Sequence, residues 1–247
     1  MPRYLLIFNR ERSVRFLSHL EEVRALERTL RRANIPFMYS QGFSPRPIMS
    51  FGPPLPVGFS SRAQLMEVKL DKHLTPEEII FMVNSTLPCG YNLSEVKFLN
   101  ENYPSLGSFP MEISYLLLVE GNGIKLSINS FLSQPYYQVL RKDNRKRREK
   151  LFNIRPFVLH LEIINQAEVS NFLQTMLLRR QKMLLRRQKI NISNDSNELN
   201  WLTHNQNTLL FFQSLYTTEG SVKITELEKA LNVKIIDGER ISLARHR

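Results

Sequence analysis

Cysteine is nearly missing from these 247 residues: Cys89 stands alone. One thiol excludes an internal disulfide, a cysteine-built zinc site and an iron–sulfur cluster held by several thiolates. There is no run of about 18 apolar residues to span a bilayer, and Arg10, Glu11 and Arg12 interrupt the amino terminus before any apolar signal core forms. The protein is therefore expected in the cytoplasm. His73, His160, His204 and His246 are scattered without ligand spacing, so neither a metal nor another cofactor is expected. Apolar residues make up 42% and charged residues 23%, a composition that excludes global disorder.

What is abundant is positive charge, in two places. The net charge is +11, of which residues 141–150 (RKDNRKRREK) supply +5 and residues 176–189 supply +6, leaving the rest of the chain neutral. Clustered basic excess on a neutral body is the electrostatic footprint of a phosphate-binding surface, and RNA is the expected partner. The second cluster is a perfect tandem heptad, MLLRRQK at 176–182 and again at 183–189. As a helix it would carry an apolar stripe and a cationic face, which fits a lengthened surface element or association with an anionic membrane surface.

The first hundred residues alternate between strand and helix patterns. Arg3–Asn9 has strand composition, Ser18–Asn34 a helical period opened by a capping box of Ser18 and Glu21, Gln64–Leu70 a strand, Thr75–Leu87 a helix and Asn92–Leu99 a strand. With one more strand within or beside residues 36–51, the order is βαββαβ, the ferredoxin-like split arrangement. Residues 100–110 (NENYPSLGSFP) mark a boundary. Beyond it, strands at Met111–Glu120, Tyr136–Arg141, Phe157–Ile164, Thr208–Leu215 and Lys234–Leu243, with helices at Lys125–Leu132 and Thr225–Leu231, fit a second such unit. The expected fold is thus α+β, two ferredoxin-like units in tandem: 1–104, with a Pro/Gly-rich loop at 40–58, and 110–247, with a basic insertion at 165–206.

That loop packs five prolines and three glycines into 19 residues, too many locked rings and missing N–H groups for a central strand. It reads equally as a stiff crossover and as a shaped contact loop offering Ser40, Gly42, Phe43, Ser50 and Gly52. Around it, Arg15, Arg24, Arg28, Arg31 and Arg46, together with Arg141, Lys142, Arg145, Lys146, Arg147 and Arg148 of the first basic run, are the candidate nucleic-acid-binding residues. Arg24, Arg28 and Arg31 share a helical face on which Glu21 and Glu27 can pair with them. Tyr136, Tyr137 and Phe152 are candidates for stacking on unpaired bases. His19, beside Arg15, Arg24 and Ser18, is a weak candidate general base for RNA cleavage, with a hydrogen-bonded structural histidine as the stronger reading.

The run Arg15-Phe-Leu-Ser-His-Leu, then Arg24, Glu27-Arg28, Leu30-Arg31-Arg32-Ala33, Pro36, Ser40-Gln-Gly-Phe, Pro45-Arg-Pro and Ser50-Phe-Gly-Pro-Pro-Leu-Pro-Val-Gly resembles the radical-SAM-linked domain family of unknown function. The resemblance extends loosely through Asn153-Ile-Arg-Pro and the closing strand-helix-strand from Thr208, leaving out the 165–206 insertion. It implies an accessory or substrate-presenting role beside a radical-SAM protein, since the radical chemistry needs three closely spaced cysteines this chain lacks. The expected function is non-catalytic RNA binding in that setting, within modification of RNA or of the translation machinery. Fold-level analogy to metal-independent endoribonucleases built from tandem ferredoxin-like units is the alternative.

Overall fold

A computed structural model describes residues 1–143, 148–164 and 207–246. The tandem heptad and the rest of 165–206 lie outside these described residues, as do Arg145, Lys146 and Arg147. The protein is a mixed α/β structure with a large, mostly antiparallel sheet and, among the described residues, four helices.

Strand β1 (Arg3–Arg10) alternates strictly, burying Tyr4, Leu6 and Phe8 on one face, as expected for a half-covered strand. Helix α1 (His19–Arg32) follows. Its predicted capping box is present, with the Ser18 N–H donating to Glu21 Oε2 at 2.7 Å and the Glu21 N–H to Ser18 Oγ at 3.4 Å. The missing strand is short, β2 (Met49–Phe51), and pairs antiparallel with β3 (Ser60–Lys69). Helix α2 (Pro76–Asn84) starts on Thr75 with a second capping box and Pro76 in its first turn, and leads into β4 (Tyr91–Leu99). Leu26, Leu30, Ile79 and Val83 from the two helices close over the buried faces of β1, β3 and β4.

The second half repeats the plan with one addition. Strand β5 (Met111–Glu120) leads into helix α3 (Ile124–Ser133), then a two-stranded ribbon of β6 (Gln138–Asp143) and β7 (Arg148–Asn153), then β8 (Val158–Ile164), β9 (Asn207–Tyr216), α4 (Ile224–Leu231) and β10 (Lys234–Arg245). Of the first basic run, expected as a segment after a strand, residues 141–143 lie in β6 and 148–150 in β7. In the main sheet the order is β4-β1-β3-β10-β5-β9-β8, with β2 on β3. Fourth, first, third, second is the strand order in both halves when β6 and β7 are set aside.

The halves share one sheet. Its seam is the parallel pairing of β3 with β10, which covers only Ser60 with Glu239 and Ser61 with Arg240. Two hydrophobic clusters flank it, and the second, built on β5, β9, α3 and α4, also takes in Leu55 and Phe59 from the amino-terminal half. Gly238 makes room for Phe59, since a Cβ there would stand 2.2 Å from the ring. The chain also crosses the seam on the face opposite α1 and α2. From the outer edge at β4 to β5 it must pass three strands, roughly 19 Å at about 4.8 Å per spacing. Residues 100–110 make this crossing, held by Arg3 Nη1 donating to the Tyr103 carbonyl at 2.7 Å and by the Leu106 N–H donating to Glu67 Oε2 at 2.8 Å.

Gly238→Ala is expected to lower stability by about 1–3 kcal/mol through overpacking against Phe59, and adding Phe59→Leu to recover part of that loss. Urea unfolding midpoints of the two single variants and the double variant check both expectations.

Candidate functional site

The Pro/Gly-rich segment serves two purposes, and the division falls between Phe51 and Gly52. Its outer part runs beside α1. At the carboxyl end of the helix, Arg31 donates to the Tyr39 hydroxyl at 3.0 Å with its guanidinium 5.7 Å from the ring centre; at the amino end, His19 meets Phe51 edge to face at 6.1 Å. Between these anchors, Tyr39 bridges to Pro47, and the Ser40 N–H donates to the Arg46 carbonyl while the Arg46 N–H donates to Ser40 Oγ. The pinched loop carries Gly42 at φ +130°, a value other residues rarely adopt, and holds Phe43 fully in solvent.

Residues 19, 23, 27 and 31 form the row of α1 nearest this segment, and Leu20, Arg24 and Arg28 form the next row, facing water. The acids of this helix are already committed. Glu21 caps Ser18, and Glu27 accepts from Arg31 at 2.8 Å. The guanidinium groups of Arg24, Arg28 and Arg46 make no hydrogen bond or ion pair with another described residue, although the Arg24 charge contributes to holding the Glu21 carboxyl down. Arg15 lies 4.7 Å over the ring of Phe16, which is exposed, as is Leu20. Unpaired arginines, exposed aromatic rings and a stiff loop thus share one face.

The inner part, from Gly52 to Phe59, is an internal bolt. The Gly52 N–H donates to the Leu65 carbonyl, and a Cβ on Gly52 would lie 3.2 Å from both Leu65 and Leu243, a tight fit that a small displacement of either side chain would have to relieve. Arg240, wholly buried, reaches from β10 to donate to the carbonyls of Pro53 and Pro54 at 2.9 and 2.7 Å, to Gln64 Oε1 at 2.7 Å and to the Tyr115 hydroxyl at 3.2 Å. Gln64 in turn donates to Glu22 Oε2 at 2.8 Å, and Glu22 lies 3.4 Å from Arg10 and accepts from Tyr91 at 3.3 Å. Arg10 also donates to the carbonyls of Arg15 and Leu17, shaping the turn that precedes α1. Burial first, and then the neighbouring Glu22 charge, hold the Tyr91 hydroxyl well above its ordinary range.

The structure distributes the remaining predicted residues unevenly. Arg141 is absorbed: it grips Glu226 with two bonds of 2.8 and 2.7 Å, donates to the Ser221 carbonyl and stacks 3.6 Å over Phe152, fastening the ribbon to α4. Lys142 pairs with Glu149 on the opposite strand and remains in solvent, as does Arg148. Ser50 sits in β2 opposite Glu67. His19 Nδ1 is buried and has no hydrogen-bond partner among the described residues. Among the described residues, no three His, Cys, Asp or Glu side chains gather to hold a metal. Sequence reasoning missed Arg10, Glu22, Gln64 and Arg240. Arg10 was detectable, because it extends the inward-facing series Tyr4, Leu6, Phe8 by one more step.

A family model described as an uncharacterized protein conserved in bacteria (DUF2344) matches residues 3–187. No curated protein matches the chain.

Glu22→Gln leaves Arg10 charged and buried, and is expected to cost about 3–5 kcal/mol in denaturant unfolding, whereas Arg10→Met combined with Glu22→Leu costs clearly less. The cap has its own pH signature. Hydrogen bonds from the Ser18 side chain and backbone, with a smaller pull from Arg24, hold the Glu21 carboxyl below 4.5. A depressed value in the folded state means that its contribution is present above the ordinary value and lost as pH falls through the depressed one. In Ser18→Ala the Glu21 titration, followed by carboxyl NMR, is expected to move up toward 4.5.

Proposed function

Since the chain belongs to the DUF2344 family of uncharacterized proteins conserved in bacteria, a kinship that names no activity, we propose that it is a non-catalytic RNA-binding accessory. On this reading it grips single-stranded RNA with the face formed by α1 and residues 39–51. The observation that carries the reading is the set of three guanidinium groups, Arg24, Arg28 and Arg46, without hydrogen-bond or ion-pair partners among the described residues, together with exposed Phe16 and Phe43. Planar guanidinium forks suit phosphate oxygens, and solvent-facing rings offer stacking platforms to unpaired bases. Two anchors, Tyr39 with Arg31 and Phe51 with His19, keep the loop in place before RNA arrives, which reduces the ordering cost of binding. The 4-1-3-2 strand order in each half supports reading the body as two ferredoxin-like units, 1–104 and 110–247. Partnership with a radical-SAM protein rests on the resemblance of the Arg15–Gly58 motifs alone.

The endoribonuclease alternative needs a proton-transfer pair. Among the described residues His19 has no hydrogen-bonded carboxylate or second histidine, and its ring meets Phe51 edge to face.

Fluorescence anisotropy with a labelled single-stranded RNA tests the proposal. Arg24→Ala, Arg28→Ala and Arg46→Ala combined should reduce the slope of log affinity against log salt by about 2, at roughly 0.7 per phosphate contact. Phe43→Ala should weaken binding by about 1–3 kcal/mol with the slope unchanged. An unaltered slope in the triple variant would overturn this face as the binding surface. Metal-free cleavage of the RNA that disappears in His19→Ala would replace the accessory reading with the nuclease.

A further inference from the structure

The face of the sheet opposite α1 and α2 carries a groove of about 410 Å³ at the seam, on the side opposite the buried faces of β1 and β3. Its floor is aliphatic, with Leu5, Ile7, Leu65 and Leu243 drawn from three neighbouring strands, and Leu106 and Phe109 of the crossing segment wall it. The size falls within the range of small-molecule sites, which pair a mostly apolar lining with a few placed polar groups. The segment 100–110 is fixed rather than loosely draped, because Arg3 and Glu67 bind its backbone at Tyr103 and Leu106.

The charges around the groove are asymmetric. Glu67, its inner acid, is neutralised by Arg3, whose Nε and Nη2 donate to Oε1 at 3.0 and 2.8 Å, while Oε2 accepts the Leu106 N–H. Two cations line the groove, of which Arg245 has no ion-pair partner among the described residues and Lys97 is shared with Glu95. Arg245 lies 5.1 Å over the Phe109 ring, and Lys97, half exposed, is 3.1 Å from Glu95. An apolar trough with its acid quenched and cations at its mouth complements a long apolar chain with one anionic end.

We propose that this groove binds such a molecule, a carboxylate or phosphate on an acyl- or isoprenyl-like chain. The apolar chain lies along Leu5, Ile7, Leu65 and Leu243 beneath Leu106, and the anionic head sits between Lys97 and Arg245. The site is on the face opposite α1, so its occupation does not depend on the RNA reading.

Isothermal titration calorimetry of the full chain with dodecanoate, dodecyl phosphate and uncharged dodecanol, each below micelle formation, tests the proposal. Both anions, or one of them, should bind, and dodecanol should bind at least about tenfold more weakly. A preference between the anions identifies the head group. Leu106→Trp, which fills the trough, and Lys97→Glu combined with Arg245→Glu, which reverses its mouth, should each weaken anion binding by about tenfold or more, with the unfolding midpoint checked for both. The surface pair keeps the test open where the tryptophan variant fails to fold. No heat with either anion up to about 1 mM, equal binding of dodecanol, or anion binding unaffected by both variants would overturn the proposal.

Discussion

The chain Arg10–Glu22–Gln64–Arg240 is the interaction on which the rest of the architecture depends. It runs entirely through the interior, from the end of β1 through α1 and β3 to β10, and joins the two halves where the sheet is thinnest. It contains two guanidinium groups and one carboxylate, so the Arg240 charge is left to neutral acceptors: two proline carbonyls, an amide oxygen and a tyrosine hydroxyl. Burying a charge without a counter-charge is costly unless hydrogen bonds replace its water. Four acceptors from four different residues do this for Nη1 and Nη2, though not for the buried Nε, only when loop, β3, β5 and β10 are assembled together. The network therefore specifies one arrangement of the halves more than it adds net stability.

This requirement explains the otherwise puzzling economy of the seam. Two registered residue pairs are too few to hold β3 against β10. The Gly52–Phe59 bolt supplies what the ladder lacks, because Leu55 and Phe59 bury their side chains in the second cluster while Pro53 and Pro54 turn their carbonyls to Arg240. A glycine at 238 is the steric condition for the Phe59 insertion. Proline is suited to the same stretch: it stiffens the backbone and removes N–H groups that would need partners in the interior, while leaving the carbonyls available.

The legible part of the sequence was the part written in periodicity. The strand composition of Arg3–Asn9, the capping box of Ser18 and Glu21, and the helix start at Thr75 each encode local structure, and each appears where the pattern placed it. What was illegible was written in distance. Arg240 lies 187 positions from its partner Pro53, and no local pattern links them. The basic run misled for a related reason: Arg141 looks like its neighbours in composition, yet a strand alternates its faces, and one step along β6 separates solvent-facing Lys142 from an arginine turned toward Glu226 on α4. The Pro/Gly segment supported both a structural and a contact reading because it performs the two tasks in succession, with the chemistry changing at Gly52.

That succession connects the interior to the surface. Arg10, through the Arg15 and Leu17 carbonyls, shapes the turn that presents Phe16 and leads to the capped start of α1; Arg240, through Pro53 and Pro54, fixes the segment just after Phe51. Both flanks of the α1 face are thus held from beneath by the same buried chain. Glu21 and Glu27, the acids that would otherwise quench that face, are used for capping and for holding Arg31 beside Tyr39. Among the described residues, Arg24, Arg28 and Arg46 are left without hydrogen-bonded acids by this use of Glu21 and Glu27, which build the helix and position the loop. An excess of positive charge on this face therefore follows from how the face is constructed, and it persists as long as the buried network holds the elements together.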